Sequence, residues 1–159
     1  MSRARVDALL AGSALVSLGA VGAALVSQHV YDMQPCPWCV LLRLIFVALA
    51  AVALLGLAWR SGLGQRVGAL LALAMAICGI ATALWLHFVA AASASCNLTF
   101  ADRFMAATGL DGLWPQVFAA YASCADAKTS LLGVPYEFWS LALFVGLGIA
   151  ALAALRTPR

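Results

Sequence analysis

Charge is scarce in this sequence. Of its 159 residues only 9% are Asp, Glu, Lys or Arg, while 65% are hydrophobic. A soluble domain carries about 25% charged and 45–50% apolar residues. So few polar groups cannot cover a globule of this size in water, and the apolar richness equally excludes intrinsic disorder. With a net charge of +3, the chain also lacks the basic excess that nucleic acid would demand, so no nucleic-acid partner is expected. Internal repeats are missing, as are low-complexity tracts beyond Ala-rich stretches. A length of 159 residues leaves no room for a second domain, and a single integral membrane domain over 1–159 is the expected organisation.

The gaps between charges locate the spans. No charge falls in the 24 residues between Asp7 and Asp32, the 35 between Arg66 and Asp102, or the 18 between Glu137 and Arg156. A helix needs about 20 mostly apolar residues to cross about 30 Å of hydrocarbon, so these windows qualify. The 16-residue gap between Arg43 and Arg60 reaches span length only if the helix starts near Val40 and carries Arg43 in its first turn. Spans are therefore expected near 8–28, 40–59, 67–90 and 136–155, which makes an all-α, four-helix membrane bundle. Arg3 and Arg5 before the first span also suit a cleaved signal peptide, but the apolar run exceeds the 7–15 residues of an h-region. A retained helix is the expectation.

Basic residues set the orientation. Arg3, Arg5, Arg60, Arg66, Arg156 and Arg159 share one side with a single acid, Asp7. Arg43, Arg103 and Lys128 share the other side with Asp32, Asp102, Asp111, Asp126 and Glu137. The positive-inside rule places both termini in the cytoplasm. Outside lie a short loop, 29–39, and a longer one, 91–135. The longer loop carries Phe100, Phe104, Met105, Leu110, Leu113, Trp114, Val117 and Phe118, which points to short helices lying at the lipid interface. Gly109 and Gly112 are expected to break one of them, and Pro115 to open the next.

Five cysteines carry the chemistry. Cys78, mid-span, reads as a small buried hydrophobe. The other four lie on the outer side, where disulfides persist. Structural stapling suits Cys96 and Cys124, which stand far apart in the long loop. It suits Cys36-Pro37-Trp38-Cys39 poorly, because closing so short a loop removes little chain entropy. A CxxC pair is instead the usual redox couple. Val40 in place of His excludes c-type haem attachment. Four Cys could bind zinc, but the wide split of the second pair argues for redox chemistry and no metal.

Cys39 stands where the second span begins, and the free amides and positive dipole of a helix N-terminus favour a thiolate. Arg43, four residues on, shares its face. A cation at that depth marks a functional site unless it snorkels to the headgroups. His87 lies at matching depth in the third span. An imidazole and a guanidinium beside a thiolate suit a carbonyl-bearing, lipid-soluble oxidant such as a quinone. His29, at the end of the first span, reads as interfacial.

The run Gln28-His29-Val30, then Gln34-Pro35-Cys36-Pro37-Trp38-Cys39 and Arg43, resembles the DsbB family. So do Trp114-Pro115-Gln116-Val117-Phe118 leading to Cys124, and Gly133-Val134-Pro135 before the last span. The resemblance spans the whole chain. It implies a bacterial inner-membrane thiol:quinone oxidoreductase that reoxidises a periplasmic, thioredoxin-fold oxidase of the DsbA type. Carried onto this sequence, it implies that Cys96 and Cys124 form the disulfide that accepts electrons from DsbA. Cys36 and Cys39 would form the pair reoxidised by ubiquinone or menaquinone, Cys39 beside the ring, with Arg43 and His87 supporting the quinone site. Two rivals stand against it. A vitamin K epoxide reductase-like enzyme normally carries its CxxC near the outer end of a late span, whereas here the motif opens the second. A membrane scaffold with merely stapled loops would have no redox turnover.

Overall fold

The computed structural model describes residues 2–59, 61–91, 99–124, 126 and 130–157. In chain order its elements are α1 (Ser2–Val30), α2 (Pro37–Ala58), α3 (Gly62–Trp85, prolonged by a π-helical turn, Leu86–Ala90), α4 (Phe100–Thr108), α5 (Leu110–Leu113), α6 (Pro115–Phe118), β1 (Ser130–Leu131), β2 (Val134–Pro135) and α7 (Tyr136–Arg156). Helices α1, α2, α3 with its π turn, and α7 are each long and apolar enough to cross a membrane. They form a closed ring in the order α1, α2, α3, α7, and the α1–α7 seam is the sparsest of the four.

Local chemistry sets the ends. Helix α2 starts at Pro37, earlier than Val40, because proline's fixed φ suits the first helical position and Cys36 caps it. Ser61 caps α3 by accepting the Gly64 N–H. Thr99 and Asp102 form a reciprocal capping box on α4, which ends at Gly109 with a left-handed φ of 67°. Gly112 does not break a helix: it lies inside the single turn α5. Pro115 opens α6 as expected from its sequence position. The β1–β2 hairpin was not legible from hydrophobic periodicity, since it is only two residues a side. Its register pairs Ser130 with Pro135 and Leu131 with Val134. The turn is Leu132-Gly133, both with positive φ, as a two-residue hairpin requires.

Two apolar clusters hold the bundle. One, at the end where α1 begins and α7 finishes, gathers Val6, Leu10, Ala14, Ala53, Ala69 and Ala154. The other fills the middle and the opposite end, with Phe46 stacked on Phe144 at 4.0 Å between ring centroids. Without a hydrophobic drive between helices in lipid, close packing supplies the attraction, and small residues permit it. A Cβ on Gly79 would stand 2.5 Å from the Phe144 ring, and one on Gly68 would stand 2.7 Å from the Gly56 Cα. Leu15, Leu55, Ile77 and Ile149 point outward, as hydrocarbon-facing side chains do. Cys78 joins them. It is exposed on the outer surface of α3, not buried in the core, because the buried stripe of that helix runs through Ala72, Ala76, Gly79 and Ala83.

Candidate functional site

The site is built on the head of α2. Cys36 occupies the cap position and accepts the Cys39 N–H on its sulfur at 3.3 Å. Cys39 is thus the third helical residue, within the first turn and not just ahead of a span that begins at Val40. The sulfurs of Cys36 and Cys39 stand 2.6 Å apart. Cys36 is 1% exposed, and Cys39 is half-buried.

The second loop brings a third sulfur to the same place. The N–H groups of Tyr121 and Ala122 both donate to the Pro35 carbonyl, at 3.0 and 3.3 Å. That clip lays the segment before Cys124 against the segment before Cys36. Cys124 then hydrogen-bonds the Cys36 side chain and accepts the Trp38 N–H. Two amides of the first turn of α2 therefore point at two different sulfurs, which satisfies donors that a helix N-terminus leaves open. Cys96 lies outside the described residues.

These contacts set the order of ionisation in the reduced protein. The hydrogen bond from the Cys36 thiol holds Cys124 below the usual thiol range against its partial burial, and the Trp38 N–H adds to it. Donating that bond pushes the Cys36 thiol up, and contact with Cys39 and burial push it the same way. At pH 7 a lowered pKa means a larger thiolate fraction, and the thiolate is the nucleophile. Iodoacetamide is therefore expected to label Cys124 before Cys36, with a rate that levels off at a lower pH than for a free thiol. Cys36→Ala should move that plateau up. Peptide mass spectrometry reads both outcomes, and labelling of Cys36 first would contradict the assignment.

Arg43 does not snorkel. It is 6% exposed and donates to Gln28 Oε1 at 2.6 Å, to the Val117 carbonyl at 3.1 Å and to the Ala24 carbonyl at 3.3 Å. None of these partners is charged, and among the described residues no carboxylate pairs with it. Its guanidinium thus brings an unneutralised positive charge to the wall of a cavity of about 290 Å³. The cavity lies between α1 and α7, the pair of neighbouring helices with the sparsest contact. Ala20, Ala23 and Ala24 form one wall, Ser140 and Leu143 the other, and Cys36, Cys39, Cys124 and Arg43 the head.

His87 is not on that wall. Depth along the third span placed it beside Arg43, but the π turn carrying it inserts an extra residue and changes its direction. Its Nδ1 lies 2.8 Å from Oε1 of Glu137, which does line the cavity. Its ring meets Phe138 and Phe88 edge-on. His29 is exposed at the end of α1. Sequence reasoning gave Gln28 and Glu137 no chemical role. Gln28 was visible as an amide ending an apolar run, and Glu137 as an acid at the mouth of a span.

A four-helix membrane protein that gathers three thiols at the head of one span, beside a cation, is built for thiol–disulfide chemistry. The sequence model of the family described as disulfide bond formation protein DsbB matches residues 6–154, and the chain belongs to the DsbB family. It is 31% identical over 145 residues to disulfide bond formation protein B of Herminiimonas arsenicoxydans, a match covering 91% of this chain and 89% of that one. Similarity to the protein of the same name from Ralstonia nicotianae is 31% over 154 residues, 89% of each chain. For Cupriavidus necator it is 34% over 131 residues, 80% of this chain and 79% of the relative. The protein is thus a multi-pass membrane protein of disulfide bond formation, an oxidoreductase in that general sense.

Proposed function

We propose that the protein reoxidises a periplasmic dithiol oxidase of the DsbA type and passes the electrons through its two cysteine pairs to a respiratory quinone. The observation that carries this reading is the cavity. An apolar slot at a helix seam, headed by Cys39 and an unneutralised guanidinium, suits a flat ring that bears carbonyls and arrives from lipid. Arg43, with Gln28 holding it, would bind a ring oxygen, and the alanines of α1 would lie along the ring or its tail. When bound, a quinone supplies a two-electron acceptor.

The exchanges are ordinary displacements at sulfur. A partner thiolate attacks the disulfide of Cys96 and Cys124, and the Cys124 thiolate released lies against Cys36. That thiolate attacks Cys36, forming a Cys36–Cys124 bond and breaking the Cys36–Cys39 bond to release Cys39. The partner's second thiolate then frees Cys96 from the mixed disulfide, and Cys96 re-forms its bond to Cys124, which releases Cys36. The Cys36–Cys39 dithiol is left to give two electrons to the acceptor, where the Arg43 charge offsets the negative charge that develops. The positive-inside rule, applied to Arg3, Arg5, Arg60, Arg66, Arg156 and Arg159, supports an orientation with both termini in the cytoplasm and the cysteines in the periplasm. DsbA's couple, at about −120 mV, is already strongly oxidising, so the driving force must come from the terminal acceptor.

The test is anaerobic quinone reduction by the detergent-purified, oxidised protein with reduced DsbA, followed by quinone absorbance. Catalytic turnover with ubiquinone or menaquinone is expected. Folded, oxidised protein that turns over neither would end this reading in favour of a stapled scaffold.

A further inference from the structure

The cavity contains an acid that the sulfur chemistry does not use. Among its described lining residues Glu137 has the sole carboxyl group. Oε1 of Glu137 lies 2.8 Å from Nδ1 of His87, and the side chains are 16% and 32% exposed. The pair therefore runs from the cavity wall toward the surface. The other titratable or charged groups facing the cavity are Cys36, Cys39 and Arg43 at the head of α2, Cys124 in the second loop and Tyr136 on α7. Arg43 does not release a proton, the thiols are consumed in forming disulfides, and the Tyr136 hydroxyl is engaged with Ser27 at 3.4 Å. A carboxyl hydrogen-bonded to an imidazole is left as the group placed to pass a proton into the cavity.

Building on the quinone reading above, we infer that Glu137 delivers protons to the quinone oxygens and that His87 acts through Glu137 by holding it and returning a proton to it from the outer side. The balance is two electrons and two protons. Forming the Cys36–Cys39 bond breaks two S–H bonds, releases both protons to the outer water and gives up two electrons. Reduction of the quinone to quinol takes up those two electrons and two protons, each passed from outer water through His87 to Glu137 and on to a ring oxygen. Glu137 faces the cavity at the level of the cysteines, so the path does not cross the bundle.

Glu137→Gln keeps the size of the side chain and removes the exchangeable proton. In that variant kcat for quinone reduction is expected to fall about 100-fold with little change in KM for quinone. Its pH dependence should flatten, and the solvent deuterium isotope effect on kcat should change. Glu137→Asp should restore the pH dependence at a reduced rate. A second readout needs no quinone. Infrared difference spectra between acid and alkaline pH should show a carboxyl band that is absent in Glu137→Gln and displaced in His87→Asn. Wild-type turnover and pH profile in Glu137→Gln would overturn the proton role and leave the quinone reading standing. Equal rate losses in the Gln and Asp variants, both with the wild-type pH profile, would mark a structural residue and overturn it too. Failure of the wild-type protein itself to reduce quinone would overturn both.

Discussion

Cys39→Ser is expected to reduce catalytic quinone reduction to background. Serine keeps the volume and the hydrogen-bonding capacity of the side chain, so the helix head and the Cys36 cap should survive. What disappears is the second electron-pair donor, since a hydroxyl neither forms nor breaks a disulfide at this potential. Cys36 could still exchange with Cys124, because those two sulfurs remain in hydrogen-bond contact. A mixed disulfide with the partner should therefore still be trappable while turnover is not. The measurement is quinone absorbance under anaerobic conditions alongside non-reducing gel analysis. Residual turnover within about tenfold of wild type would mean that electrons leave through another sulfur.

Arg43→Met should cost about 100- to 1,000-fold in kcat for quinone reduction, the range seen when one preorganised charge-stabilising donor is removed. Burial makes this large: the guanidinium is 6% exposed and has no acidic neighbour among the described residues to share its field with. Removal also strips Gln28 Oε1 and the Val117 carbonyl of their donor, at about 1–3 kcal/mol for a group left buried and unpaired. The thermal midpoint should therefore fall as well. Two controls separate the effects. Gln28→Leu should lower stability with a smaller effect on kcat, and disulfide exchange with reduced DsbA should slow far less in Arg43→Met than quinone reduction does. Equal slowing of both half-reactions would assign Arg43 to folding alone.

Much of this arrangement was legible in the residues. Charge-free windows located all four long helices because hydrocarbon tolerates so few exceptions, and Arg43 stood out by interrupting one of them. The CxxC spacing singled out Cys36 and Cys39, whose sulfurs the helix head sets 2.6 Å apart. What escaped was anything set by azimuth or by distant pairing. Cys78 and His87 were read from depth along a helix, which says nothing of the face. Cys78 turned outward, and the π turn aimed His87 at Glu137. The start of α2 was misjudged because a cap and a proline decide it, not hydropathy. Gln28 reaches Arg43 across 15 residues and Val117 reaches it across 74, and no local pattern encodes such partners.

The two amides at the head of α2 have a consequence for direction. Trp38 N–H serves the Cys124 sulfur and Cys39 N–H serves the Cys36 sulfur. Whichever of these sulfurs departs as an anion does so under a backbone donor of the same helix end. Both feel the same helix end, but the proton they share stays on Cys36, so Cys124 is the one that carries the charge. Such a junction behaves like a rail switch with a spring. Its blade rests to one side, with Cys124 as the waiting nucleophile, and in the function proposed above the terminal acceptor keeps it moving by removing what arrives.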